Sequence, residues 1–142
     1  VLYTGKTRSA SSLLREQSVE MERSAQKQKT MHQMVQLAWD LKNELAANRL
    51  DALGEILHAG WMLKKSLVSG ISETAIDHWY EAAIAAGAQG GKILGAGAGG
   101  FLLFYAPKER HFAITAALPG LKVAPMAFDQ LGSQIIFNEK IA

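Results

Sequence analysis

The spacing of apolar positions changes along the chain and predicts helices first and strands later. Residues 1–4 are apolar and β-prone, and Gly5 ends this short strand. Over residues 9–49 the apolar side chains recur at helical intervals. This apolar stripe consists of Met31, Met34, Val35, Ala38, Leu41 and Leu45. A helix capped by Asn48 or Asp51 is predicted to end at Gly70, and another is predicted over about residues 73–86.

After Gly87 the pattern becomes one of short β-prone runs. Strands are predicted at residues 92–94, 101–105, 123–128 and 133–138, and a helix follows Pro107 over residues 108–118. Two strand–helix–strand units placed side by side predict an α+β fold. It is a ferredoxin-like split βαβ sheet with a multi-helix insertion and helices on one face. No repeat or linker interrupts the pattern, so we expect residues 1–142 to form one domain.

Three tryptophans, Trp39, Trp61 and Trp79, fall at helical core spacing, and we expect all three to be core residues. The four histidines do not pair at metal-ligand spacing, so we expect no metal site. His58 and His78 stand beside apolar helical positions and are interpreted as packing or surface residues.

Composition narrows the classes of function. The chain has 142 residues, 15 Lys and Arg against 13 Asp and Glu, and no cysteine. A net charge of +2 is too small to indicate a nucleic-acid partner. The lack of cysteine excludes disulfide scaffolds, thiolate metal sites and cysteine nucleophiles. No apolar run approaches the roughly 18 residues of a membrane span, so we expect a cytoplasmic protein without a membrane partner. Because the chain starts with Val1 inside a predicted strand, we expect it to be part of a longer protein.

Glycine is concentrated in one segment, with seven of the 13 glycines between Gly87 and Gly100. A tight hairpin turn and a loop that approaches an anionic ligand both remain open as explanations, although a turn alone needs only two or three glycines. A dinucleotide fingerprint fits Gly95, Gly97 and Gly100 in spacing, but it requires a helix where residues 101–105 predict a strand.

Residues 90–104, Gly-Gly-Lys-Ile-Leu-Gly-Ala-Gly-Ala-Gly-Gly-Phe-Leu-Leu-Phe, resemble the third, C-terminal motif of the GHMP small-molecule kinases. Residues 2–10 and 128–136 more specifically resemble the heptose-kinase branch of that superfamily. The resemblance implies the C-terminal domain of an ATP-dependent sugar kinase that transfers the γ-phosphoryl group to a heptose or heptose phosphate. ATP and Mg²⁺ would be bound mainly by an N-terminal half that has no counterpart in this chain. The catalytic residue is expected on that half, and the isolated chain is expected to be inactive.

The resemblance also assigns site residues. It places a phosphate- and substrate-proximal loop at Gly95, Ala96, Gly97, Ala98, Gly99 and Gly100. Thr7 and Arg8 are candidate substrate-binding residues, and an ion pair at the surface or between domains is the alternative for Arg8.

Two other functions remain open: a non-catalytic ferredoxin-like module that binds a small molecule or regulates, and a GHMP kinase for galactose, mevalonate or homoserine. The expected partners are a sugar or sugar phosphate and the N-terminal domain of the same protein. An isolated half would expose an apolar face, so we also expect it to self-associate or to stay bound to its other half.

Overall fold

The computed structural model describes residues 1–7, 14–15, 18–19, 24–67, 70–95, 97, 99–127, 131–132 and 134–136. The strands are β1 (Leu2–Tyr3), β2 (Gly90–Ile93), β3 (Phe101–Tyr105) and β4 (Lys122–Val123). The α-helices are α1 (Ala25–Ala46), α2 (Ala52–Leu67), α3 (Thr74–Ala85) and α4 (His111–Ala116), and a 3₁₀ turn at Lys108–Arg110 precedes α4. Within the described ranges, no helix is long and apolar enough to cross a membrane.

The four strands form one antiparallel sheet in the order β2-β3-β1-β4. Leu2 pairs with Leu102 on one side and with Val123 on the other, and Ile93 also pairs with Leu102. Because directly paired residues share a face, one face of the sheet carries an apolar row, of which Ile93, Leu102 and Leu2 are buried and Val123 at the edge is exposed. This topology confirms the predicted ferredoxin-like sheet, with α1 to α3 inserted between β1 and β2.

The C-terminal strands are shorter than the sequence predicts. The strand expected over residues 123–128 is only the pair Lys122–Val123, although the Ala124 N–H still donates to the Val1 carbonyl at 2.9 Å. The pairing ends there because β1 is itself only two residues long. Residues 134–136 belong to no strand, and the remainder of the strand predicted at 133–138 lies outside the described residues.

The core is formed by apolar side chains from α2, α3 and the sheet. Trp61, Ile76, Ile93 and Leu102 are almost completely buried and belong to one cluster. A second cluster joins Leu2 to α3 and α4. The prediction that Trp61 is a core residue is therefore confirmed. Trp79 is half-buried and packs against both clusters.

The expectation that Trp39 is a core residue is wrong. Its side chain is 54% exposed, and the Lys42 ammonium lies 4.8 Å from its ring centroid. Helix α1 packs on α2, and Met31 and Met34 are the α1 residues that reach the core cluster. Trp39 is not among them, so its aromatic surface remains in contact with solvent.

Tyr80 connects the helices to the sheet. Its hydroxyl lies 2.8 Å from His58 Nδ1 on α2 and donates to the Gly91 carbonyl on β2 at 3.4 Å. Its ring contacts the rings of Trp61 and Phe104, with centroids 6.2 and 5.6 Å apart. Burial raises the pKa of Tyr80 to about 12, so the hydroxyl remains protonated at neutral pH.

Helix α2 and strand β2 are in close contact at two glycines. A Cβ placed on Gly54 would lie 2.6 Å from the Gln89 Cβ, and Gly90 faces the Gly54 backbone without side chains between them. By contrast, a Cβ on Gly60, one and a half turns later in α2, would meet only Leu37 Cδ1 at an ordinary 3.8 Å. The first turn of α2 therefore fixes the distance of the whole helix from the sheet edge.

Gly54 and Gly60, both in α2, give a matched prediction. Gly54→Ala should lower the free energy of unfolding by about 1 kcal/mol or more, because overpacking exceeds the gain in helix propensity. Gly60→Ala should raise it by about 0.5–1 kcal/mol, because only the propensity term remains. Urea unfolding of both variants measures these changes, and equal stability of the two would contradict the close approach.

Candidate functional site

The glycine-rich segment connects β2 to β3 as a hairpin. The Leu94 N–H donates to the Phe101 carbonyl at 2.8 Å and closes the ladder at the base of the connection. A strand, not a helix, follows Gly100, so this is not a dinucleotide-binding turn. Of the loop predicted from the sequence, Gly95, Gly97, Gly99 and Gly100 are described, and Ala96 and Ala98 lie outside the described residues.

The end of this loop is attached to the chain that leaves β1. The Gly100 N–H donates to the Lys6 carbonyl at 2.8 Å. The Gly100 carbonyl accepts from both the backbone N–H and the hydroxyl of Thr4, each at 2.9 Å. Thr4 is buried, and its hydroxyl also accepts from the Lys6 N–H at 3.3 Å. These bonds fix the position of the loop relative to residues nearly a hundred positions earlier.

Two of the loop glycines are required by close backbone contacts. A Cβ on Gly97 would lie 2.8 Å from the Ile71 carbonyl oxygen, and Gly97 has φ +119°, a region that L side chains rarely adopt. A Cβ on Gly99 would lie 2.8 Å from the Lys6 carbonyl oxygen. The loop therefore lies between the chain that follows β1 and the start of the segment that leads into α3.

The glycines of the loop differ in exposure, since Gly95 is exposed, Gly97 is half-buried and Gly99 is buried. Within the described part of the chain, the N–H groups of Gly95, Gly97 and Gly99 make no hydrogen bond. Unpaired N–H groups in a loop without side chains are suited to binding an anion, because the backbone can approach it closely.

Lysines surround the loop, and two of them are neutralised by carboxylates. Lys6 bonds Glu73 at 2.5 Å, just before α3. Lys65 bonds Asp77 at 2.9 Å, and the Ser72 hydroxyl donates to the same carboxylate oxygen. These are partly exposed ion pairs that tie α3 to β1 and α2, and each contributes at most about 1 kcal/mol.

Lys64 and Lys92 have no carboxylate partner among the described residues. Lys64 Nζ donates to the Gly95 carbonyl at 2.5 Å. Burial lowers the pKa of Lys64, and the nearby charge of Lys92 lowers it further. Both side chains line a cavity of about 160 Å³ between α1, α2 and β2, whose other lining residues are apolar.

With the fold and the loop established, comparison with known proteins identifies the family. A family model described as the C-terminal part of the GHMP kinases matches residues 38–119, more than half of the chain. The chain belongs to the GHMP kinase C-terminal family. This confirms the family to which residues 90–104 point.

One curated relative of this GHMP domain is D-glycero-alpha-D-manno-heptose 7-phosphate kinase of Campylobacter jejuni, 34% identical over 88 residues. The matched part is 62% of this chain and 26% of the relative, so the chain spans about a quarter of the relative's length. Among solved structures, L. major mevalonate kinase in complex with R-mevalonate superimposes with a TM-score of 0.74 at 19% identity. That match covers 82% of the GHMP domain and 36% of the mevalonate kinase chain, and it shows a shared fold.

Thr7 and Arg8 are the two remaining site residues predicted from the sequence. Thr7 is exposed and directly follows Lys6, whose carbonyl binds Gly100, so the chain after β1 brings Thr7 to the loop. Arg8 lies outside the described residues. In the described part of the GHMP domain, no group of three His, Asp or Glu side chains could hold a metal ion.

Lys64 and Lys92 lie beside the loop but are not among the site residues predicted from the sequence. Lys92 belongs to the motif at residues 90–104, and Lys64 lies in the helix predicted to end at Gly70. A signal was present for Lys64, because it stands at helical spacing from Leu57 and Trp61 and so shares the face of α2 on which they pack. That signal does not reveal which element lies opposite.

The attachment of the loop through Thr4 can be tested directly. In Thr4→Val the hydroxyl is lost, so the Lys6 N–H lacks its acceptor and the Gly100 carbonyl loses one donor. We expect the amide protons of Lys6 and Gly100 to exchange at least about 10-fold faster, with a loss of about 1–2 kcal/mol in the free energy of unfolding. Thr4→Ser keeps the hydroxyl and should preserve the exchange rates. Equal exchange in both variants would show that the hydroxyl does not hold the loop.

Proposed function

We propose that this chain is the C-terminal domain of an ATP-dependent sugar kinase that transfers the γ-phosphoryl group of ATP to a heptose or heptose phosphate. The observation that carries the proposal is the glycine loop, in which the N–H groups of Gly95, Gly97 and Gly99 have no partner among the described residues, in a chain of the GHMP kinase family. The heptose acceptor is supported by the 34% identity to a heptose 7-phosphate kinase.

The proposed role of the loop follows from the chemistry of phosphoryl transfer. That reaction needs positioning and stabilisation of charge on phosphoryl oxygens, and it needs little covalent chemistry from the protein. Backbone N–H groups held in a fixed place stabilise such charge once water is excluded. Gly100 would keep the donors in place through its three hydrogen bonds to Thr4 and Lys6.

In the proposed kinase, the N-terminal and C-terminal domains of a longer protein have different roles. ATP and Mg²⁺ would be held mainly by an N-terminal domain, which would also supply the catalytic residue and be the main partner of this chain. The described residues offer no ligand set for Mg²⁺, so no step is assigned to a metal on this domain.

We also propose that the apolar residues left exposed allow self-association when the domain is alone. They include Val35, Trp39, Phe112 and Val123.

The proposal predicts the following result in an assay of ADP release. The full-length protein that carries this domain, with ATP and Mg²⁺, should turn over a heptose or heptose 7-phosphate in preference to mannose, galactose, mevalonate and homoserine. The 142-residue chain alone should remain at background. Turnover of another acceptor would support a kinase function but assign the protein to a different branch of the GHMP kinases. A folded protein inactive on the whole panel would instead favour a ferredoxin-like binding or regulatory module.

The role of the loop predicts a second result. Gly99→Val and Gly97→Val place side chains against the backbone oxygens of Lys6 and Ile71, and the loop must move. A displacement of about 1 Å at a reacting centre reduces turnover by roughly 100-fold or more, so we expect both variants to be folded and inactive. Gly120→Ala is the control variant. Gly120 lies in a turn outside the loop and has φ +89°, and a Cβ there would meet nothing within 4 Å. Normal turnover by a folded Gly99→Val protein would refute the role of the loop.

A further inference from the structure

Lys64 and Lys92 form a pair of positive charges that the described residues do not neutralise. Lys64 lies near the C-terminal end of α2, and Lys92 lies in the middle of β2. They are 28 positions apart in sequence, and the contact between α2 and β2 brings them to one cavity. Both are half-buried.

The neighbouring lysines show that this arrangement is not a general feature of the surface. Lys65 is the next residue along α2, and its ammonium is bound to Asp77. Lys6, on the other side of the loop, is bound to Glu73. Two half-buried ammonium groups close to each other repel, and their desolvation is unfavourable unless an anion joins them. The only described partner of either group is the neutral carbonyl of Gly95, bound to Lys64.

We infer that Lys64 and Lys92 together bind a phosphate group of the acceptor, so that the sugar kinase proposed above acts on a sugar that is already phosphorylated. The inference rests on that proposed function. It adds the residues that would distinguish a sugar phosphate from a free sugar.

Three properties of the site favour a phosphate. A phosphate monoester carries a charge of about −1.5 to −2 at neutral pH, which matches two ammonium groups. The cavity of about 160 Å³ is several times the roughly 30 Å³ that one water molecule occupies in the liquid, so it has room for a phosphate group. The other described residues of the lining, such as Leu37, Ile56 and Leu57, carry no charge, so no carboxylate among them competes with an anion for the two ammonium groups. The sugar would lie toward the glycine loop, which Lys64 contacts through Gly95.

The first experiment measures anion binding by the 142-residue chain, with inorganic phosphate as the probe. Amide-resolved NMR titration at constant ionic strength, balanced with NaCl, should give saturable shifts around Lys64, Lys92 and Gly95. Lys64→Met and Lys92→Met should each weaken phosphate binding at least about 10-fold, because each removes a charge-assisted hydrogen bond. Lys64→Arg keeps the charge and should retain most of the affinity.

Lys65→Met is the matched control. It removes the same charge from the neighbouring position of α2, so any effect of net charge alone is equal, and we expect less than a 2-fold change. Circular dichroism verifies that each variant is folded. The inference is overturned if phosphate causes no saturable shift up to about 50 mM, or if Lys65→Met weakens binding as much as Lys64→Met.

Kinetics of the full-length protein separate the failure of this inference from the failure of the proposed function. With heptose 7-phosphate, Lys64→Met should raise KM at least about 10-fold more than it raises KM for the unphosphorylated heptose, because only the first substrate loses a contact to its phosphate. An equal increase in KM for both sugars would overturn the inference but not the proposed kinase function. Absence of turnover with every acceptor, in a folded protein that still binds phosphate through Lys64, would overturn the proposed function.

Discussion

The hydrogen bonds of Gly100 are the constraint on which the rest of the site depends. Its N–H and carbonyl are bound by Lys6 and Thr4, which follow the two-residue strand β1. Strand β1 lies between β3 and β4, so the same short segment holds the sheet together and fixes the end of the glycine loop. A buried threonine hydroxyl that both donates and accepts is well suited to this position, because it pairs backbone groups on both segments.

A second constraint acts at strand β2, which forms one edge of the sheet. Gly54 and Gly90 allow α2 to lie directly against β2, and Tyr80 connects the two with bonds to His58 and Gly91. The same helix carries Lys64 ten residues after Gly54, and the Lys64 ammonium contacts the loop at the Gly95 carbonyl. Helix α2 therefore contributes both to the packing against β2 and to the charge beside the loop.

The charges around the loop fall into two groups with different physical roles. The pairs Lys6–Glu73 and Lys65–Asp77 join secondary-structure elements and are satisfied within the chain. Lys64 and Lys92 line one cavity beside the loop, and neither their ammonium groups nor the N–H groups of Gly95, Gly97 and Gly99 have a carboxylate partner in the part of the chain that the structure describes. Positive charge and backbone donors near one another stabilise negative charge on oxygen, which is the property on which the proposed role in phosphoryl transfer depends.

The sequence by itself determined the elements whose signal is local. The run Phe-Leu-Leu-Phe-Tyr is strand β3 with the predicted bounds, the helix predicted over about residues 73–86 is α3, and the order of elements was enough for the sheet topology. Only the tertiary structure decided what depends on a partner element. Trp39 repeats at core spacing but is exposed, because periodicity does not show which helices have a covering layer. Strand β4 ends where β1 provides no further partner, and the approach of Lys64 to Lys92 depends on a helix–strand distance that no local pattern encodes.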